Sequence, residues 1–213
     1  MQVADAPLAC RAVDRSIYRW FNRLADHTSW AHGFFRSYAN YGVVLFGALL
    51  LVAFVDARRR DDLREVAASV WAGAAALVAL EVGQIIGGAI DRARPYAVIP
   101  GAHVLVDRTS DFSFPSDHAT MAGAVAMGLL LTNRRWGVPA VAAAVLMAVT
   151  RVYVGAHYVS DVLAGLALGA VVAWVGFRLL VPLLEKLTAR LLSTKFGVVL
   201  AAHPQATSAA TPS

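Results

Sequence analysis

A chain of 213 residues that is 58% hydrophobic and only 15% charged, with a mean hydropathy of +0.58, lacks the polar surface that a water-soluble domain of this size needs. Its net charge of +5 comes from arginines near the ends of apolar runs, not from a basic patch with interleaved aromatics, so a nucleic-acid partner is not expected. Cys10 is the only cysteine, which excludes an internal disulfide, and the composition predicts an all-α, polytopic membrane helix bundle.

Residues 1–36 form an N-terminal segment with no uninterrupted apolar core and no positive start, so no secretory leader is read there. From Val13 to Tyr38 the pattern is amphipathic. Ile17, Trp20, Phe21 and Leu24 recur at helical spacing opposite Arg15, Arg19 and Arg23, and Trp30, Phe34 and Phe35 follow. Such a helix suits the membrane interface or the end of a bundle, and the pattern alone does not choose. A first span is predicted over residues 37–55, closing on a charged turn with Arg58, Arg59, Arg60 and Arg64. A second covers residues 66–90. Glu81 and Gln84 lie within it, and Glu81 is expected to face the interior and bond a neighbouring helix. Gly83 and Gly87, four apart, permit close helix approach.

The second span ends in Asp91-Arg92-Ala93-Arg94-Pro95, and a polar connection follows over residues 96–114 with His103, Asp107, Arg108 and Asp111. Pro115-Ser116-Asp117-His118 then opens a third apolar helix, over residues 119–131. Taken in isolation, that tetrapeptide is a capped helix start. It also presents free backbone N–H groups and a positive dipole end, which suit an anion. After a turn at Asn133, Arg134 and Arg135, a fourth span covers residues 136–150 and a fifth residues 159–184, the latter with Gly165 and Gly169 as a second close-packing pair. The membrane domain is thus residues 37–186. Residues 187–213 are a tail, expected to be disordered at its Ala-, Ser-, Thr- and Pro-rich end.

Between the fourth and fifth spans lies Arg151-Val-Tyr-Val-Gly-Ala-His157-Tyr-Val-Ser-Asp161. If the last helix starts near Ala156, Asp161 stacks one turn from His157 and can fix its tautomer, leaving the other ring nitrogen as nucleophile or base. Arg151 offers forked donors for phosphate oxygens. An apolar segment flanked by ordinary interfacial polar residues fits the stretch as well. Span parity adds weight, because the loop with Arg94, Ser116 and His118 and the loop with Arg151 and His157 are two spans apart and share one side of the membrane. That set suits a phosphate group. A zinc site from His103, His118 and His157 matches no common ligand spacing.

Arg94-Pro95, Pro115-Ser116-Asp117-His118 and Arg151-x5-His157-x3-Asp161, in this order, resemble the three signature motifs of the type 2 phosphatidic acid phosphatase superfamily. Phe-Pro-Ser-Asp-His-Ala, with aspartate in place of glycine, is most similar to the bacterial undecaprenyl diphosphatases of the bacitracin-resistance type. The resemblance implies that His157 attacks the terminal phosphorus and carries a phosphohistidine, that Asp161 orients its ring, and that His118 protonates the leaving group. Arg94, Arg151 and Ser116, together with the Asp117 turn, would hold the phosphate. No metal or other cofactor is implied. The first motif usually begins with lysine seven residues before its arginine, and Gly87 stands there in this chain, with Arg92 the nearest substitute.

The expected function is hydrolysis of a polyprenyl diphosphate that stays in the bilayer. Phosphatidate, phosphatidylglycerophosphate or another prenyl phosphate is the alternative substrate, and an inactive lipid-binding or transport protein the remote one. The arginine-rich short turns predict a bacterial inner-membrane protein with its site facing outward.

Overall fold

Polar clusters at residues 60–62, 91–116, 133 and 154–158 divide the apolar sequence, and helices fill the intervals. A computed structural model describes residues 8–192. In chain order these form α1 (Leu8–His27), a 3-10 turn (Ser29–Ala31), α2 (His32–Arg59), α3 (Leu63–Ile90), a one-turn α4 (Pro95–Val98), α5 (Asp117–Thr132), α6 (Arg134–Tyr153) and α7 (Val159–Leu192), with no strand among the described residues. The all-α membrane bundle expected from composition is what forms.

Four segments, Ser29–Arg59, Leu63–Val98, Arg134–Tyr153 and Val159–Leu187, are long and apolar enough to cross a membrane. The fifth expected span, α5, has 16 residues, or about 24 Å of helix against a hydrocarbon layer of about 30 Å. It is instead the most enclosed helix, with Ala119, Ala122, Ala124, Val125, Ala126 and Leu129 buried against α3, α6 and α7. A helix surrounded by protein does not have to match the lipid thickness, and its short length leaves its N-terminus recessed at one end of the bundle.

Small residues set the spacing around α5. A Cβ on Gly165 would lie 2.7 Å from the Ser116 carbonyl oxygen, and one on Gly169 would run into the Thr120 carbonyl, so α7 rests backbone to backbone on α5. The Trp71 indole N–H of α3 donates to the Ala173 carbonyl of α7 at 3.0 Å. Glu81, expected to face inward, is exposed on α3, because the inner stripe there is made of Ala75, Ala76, Ala79, Gly83 and Gly87.

The two ends of the bundle differ. At one, the Asp62 carboxylate caps α3 by accepting from Glu65 N at 3.0 Å, and Trp136 Nε1 donates to Asp56 at 3.0 Å. Asn133 Nδ2 reaches Glu65 at 3.3 Å, so the arginine-rich turns are joined to each other. The other end gathers residues 91–116 and 154–161, as span parity requires.

α1 lies across that second end. It buries Asp14, Tyr18 and Ala25, while Val13, Trp20 and Leu24 remain exposed, so both sequence readings of the amphipathic segment apply to different faces. The segment is shorter than expected, because a turn after His27 passes Phe34 and Phe35 to α2. At the far terminus α7 continues beyond residue 184 to Leu192, into the segment read as tail. The disorder expected at the end of the tail falls outside the described residues.

Candidate active site

α6 ends at Tyr153 and α7 begins at Val159, so His157 precedes the helix rather than starting it. The intervening turn is tight at Gly155, where φ is +77° and a Cβ would meet the His103 carbonyl, a place only glycine fits. His157 therefore does not stack on Asp161 as a helical neighbour. Its Nδ1 is 3.8 Å from Asp161 Oδ2, beyond hydrogen-bond reach, and 2.8 Å from the Ser113 carbonyl. A carbonyl only accepts, so Nδ1 carries the proton and Nε2 is the bare nitrogen. Arg94 Nη1 lies 3.1 Å from that Nε2.

Asp161 is fully buried and each of its oxygens is assigned. Oδ2 accepts from Ser113 Oγ at 2.6 Å and from Tyr158 N at 2.9 Å, and Oδ1 accepts from Arg92 Nη1 at 2.6 Å. Asp161 thus acts on His157 through Ser113, which holds the carboxylate with its hydroxyl and the imidazole with its carbonyl. Burial lowers the pKa of His157 to about 4, with Arg151 and Arg94 adding to the effect and Asp161 opposing it, so the ring is neutral at neutral pH.

A cavity of about 400 Å³ opens above this ring, lined by Arg94, Arg151, His118, His157, Asp111 and Asp117 among others. Arg151 is 7% exposed and its Nε has no hydrogen-bond partner. Arg94 is steadied from behind, its Nε donating to Asp111 at 3.0 Å. Ser116 occupies the N-cap of α5, yet its buried Oγ makes no capping bond. The first-turn N–H groups of α5 consequently lack their usual side-chain acceptor. His118 sits in that same turn, on the cavity wall. Buried donors without acceptors are rare, and their clustering here with two guanidinium groups suits an anion.

Two sequence expectations are not met. Arg92 does not line the cavity. Its Nη1 also donates to Ser160 Oγ at 2.7 Å, its Nη2 donates to Asp14 at 2.8 Å, and it lies 4.1 Å over the Tyr158 ring. Nor can a lysine stand at position 87 in this packing, since a Cβ there would lie 2.9 Å from the Phe114 carbonyl and 3.3 Å from the Phe112 ring. The histidine trio considered for zinc does not assemble either, because His103 turns its Nδ1 to Asp26 on α1. Among the described residues no group of three or more His, Cys, Asp or Glu side chains is arranged to hold a metal ion. Asp117 does reach the cavity, and Gln84 Nε2 donates to its carboxylate at 3.0 Å.

Sequence reasoning missed Ser113, Asp111 and Asp14. Ser113 and Asp111 lie in the polar connection, where no spacing singles them out. Asp14 does carry a signal, as an acid on the inward stripe of a helix otherwise studded with arginines.

A recessed pocket of arginines and histidines at one end of an apolar bundle defines a membrane enzyme for anionic headgroups, and the chain belongs to the PAP2 superfamily, which it matches over residues 68–183. These are membrane lipid phosphatases. The undecaprenyl-diphosphatase BcrC of Bacillus subtilis is 28% identical over 162 residues, 76% of this chain and 81% of that protein. A decaprenylphosphoryl-5-phosphoribose phosphatase of Mycobacterium tuberculosis is 38% identical over 143 residues, 64% of this chain and 73% of the relative. In fold, the chain resembles a transmembrane PAP2-type phosphatidylglycerolphosphate phosphatase from Bacillus subtilis, with a TM-score of 0.59 at 21% identity over 89% of this chain and 90% of the other.

Proposed function

We propose that this protein hydrolyses a polyprenyl diphosphate of the undecaprenyl type to the monophosphate, through a phosphohistidine at His157. The observation that carries the reading is the bare Nε2 of a buried, neutral His157, facing a cavity between Arg94 and the partly unpartnered Arg151. Nε2 attacks the terminal phosphorus, the bond to the bridging oxygen breaks, and His118 gives that oxygen a proton. Water then attacks the phosphohistidine while His118 takes the proton back, releasing phosphate and restoring His157. Arg94, Arg151, Ser116 and the first-turn N–H groups of α5 hold the equatorial oxygens as charge builds on them. Arginines supply all the positive charge in this scheme, so it requires no metal. The lipid tail stays in the bilayer beside the apolar helices.

One observation favours a second reading. Asp111 and Asp117 face the cavity beside the arginines. Carboxylates repel phosphate but accept hydrogen bonds from hydroxyls, which fits a polyprenyl phosphate bearing a sugar phosphate, the substrate type named for the mycobacterial relative. Phosphate release by purified protein in detergent with EDTA, across polyprenyl diphosphate, polyprenyl phosphosugar phosphate and phosphatidate, separates these. Fastest release from the diphosphate is expected. Preference for the phosphosugar lipid moves the assignment to the second reading, and loss of activity in EDTA refutes the metal-free scheme.

A further inference from the structure

Asp14 is one of the few buried charged residues outside the cavity, and nothing in the chemistry above uses it. It lies on α1, with Arg15, Arg19 and Arg23 on the other faces of the helix. Its Oδ1 accepts from Ser160 N at 3.1 Å, and its Oδ2 accepts from Ser160 Oγ and, at 2.8 Å, from Arg92 Nη2. The same guanidinium donates through Nη1 to Asp161 at 2.6 Å. Arg92 is therefore held as a fork between two carboxylates, with the Tyr158 ring beneath it. From Asp161 the contacts continue to Ser113 Oγ, and from the Ser113 carbonyl to His157 Nδ1.

We propose that Asp14 is a positioning residue for the reaction: α1 fixes Arg92, Arg92 fixes Asp161, and through Ser113 this holds His157 with Nε2 bare. Without Asp14 the guanidinium keeps its charge but loses one prong of the fork, and it is free to swing about its bond to Asp161. The Asp161–Ser113 pair then no longer has a single arrangement. The inference rests on His157 being the nucleophile, and it makes the N-terminal helix part of the catalytic unit rather than a membrane anchor alone.

The test is a cycle of Asp14→Asn, Arg92→Ala and the double variant, assayed with the lipid phosphate that the wild type cleaves fastest. Asp14→Asn is expected to lower kcat about tenfold with KM within about twofold of wild type. The double variant should be no slower than Arg92→Ala alone, since Asp14 acts only through Arg92. Asp14→Glu, which keeps the charge, should recover part of the loss. An independent readout is the nitrogen NMR signal of His157 in detergent, assigned by its absence in His157→Gln. A single Nδ1–H tautomer is expected in the wild type and a mixture in Asp14→Asn. Unchanged kcat, additive effects, or an unchanged tautomer would each overturn the proposal. Arg92→Lys, which keeps the charge and loses the fork, gives the same readouts if Asp14→Asn does not fold. Wild-type protein that cleaves no lipid phosphate would refute the proposed function, and the tautomer measurement would still decide the role of Asp14.

Discussion

At His157 the surroundings set both which nitrogen reacts and what charge the ring carries. Burial holds its pKa at about 4, whereas an unfolded histidine titrates near 6.5. Between those values the unfolded chain takes up a proton that the folded chain does not, so this residue makes stability fall as pH is lowered through that window. Acidification from pH 7 to pH 5 should therefore lower the apparent thermal midpoint of the wild type more than that of His157→Gln. Equal drops would mean that the ring is not held neutral by the fold. Ser113 allows a second test. Ser113→Ala keeps the carbonyl that bonds Nδ1 but removes the 2.6 Å bond to Asp161, which costs about 1.5–3 kcal/mol for a buried bond to a charged group. A lower thermal midpoint and a reduced kcat at similar KM are expected, and wild-type kcat would show that the hydroxyl is dispensable. The residues aimed at phosphate were legible because each is a reactive type at a fixed spacing. Ser113 was not, because its backbone carbonyl does half of its work and any residue type supplies one. Arg92 was misread because a charge count cannot reveal which acceptor a guanidinium turns to.

Among the elements, α3 explains the departure from the family pattern. Gly87 is where the Phe112–Phe114 stretch lies directly on the helix, just before Pro115 and Ser116. Putting back the lysine, Gly87→Lys, should not improve the enzyme. The new side chain must push the Phe114 carbonyl away and with it the start of α5, so activity and thermal midpoint should both fall, with Gly87→Ala showing a milder version. A gain in kcat/KM for Gly87→Lys would mean that the loop yields and that the cavity lacks a cation. The existence of the helices was readable from apolar runs and polar breaks. Their ends were less so, because α2 starts in the aromatic stretch around Phe34 and α7 continues past Pro182 into residues read as tail. The short α5 was mistaken for one more span, because an alanine-rich run has the same composition whether lipid or protein surrounds it.

For the whole molecule, the two ends of the bundle carry different chemistry. One joins Asp56, Glu65, Asn133 and Trp136 into a compact set of turns flanked by Arg58, Arg59, Arg64, Arg134 and Arg135, and the other holds the cavity under α1. Short arginine-rich turns stay in the cytoplasm, so the cavity should open outward. In a Cys10→Ser background, Ser110→Cys should react with an impermeant maleimide in intact cells and Arg134→Cys should not. The reverse labelling would place the site on the cytoplasmic side. The central claim is covalent, however, and is tested most directly by following the phosphate itself. Protein mixed with polyprenyl diphosphate labelled in its terminal phosphate, then denatured in alkali, should retain acid-labile label on the peptide that contains His157. His157→Ala should retain none and turn over nothing. Turnover by that variant, or a wild type that releases phosphate without ever carrying label under rapid quenching, would contradict the account.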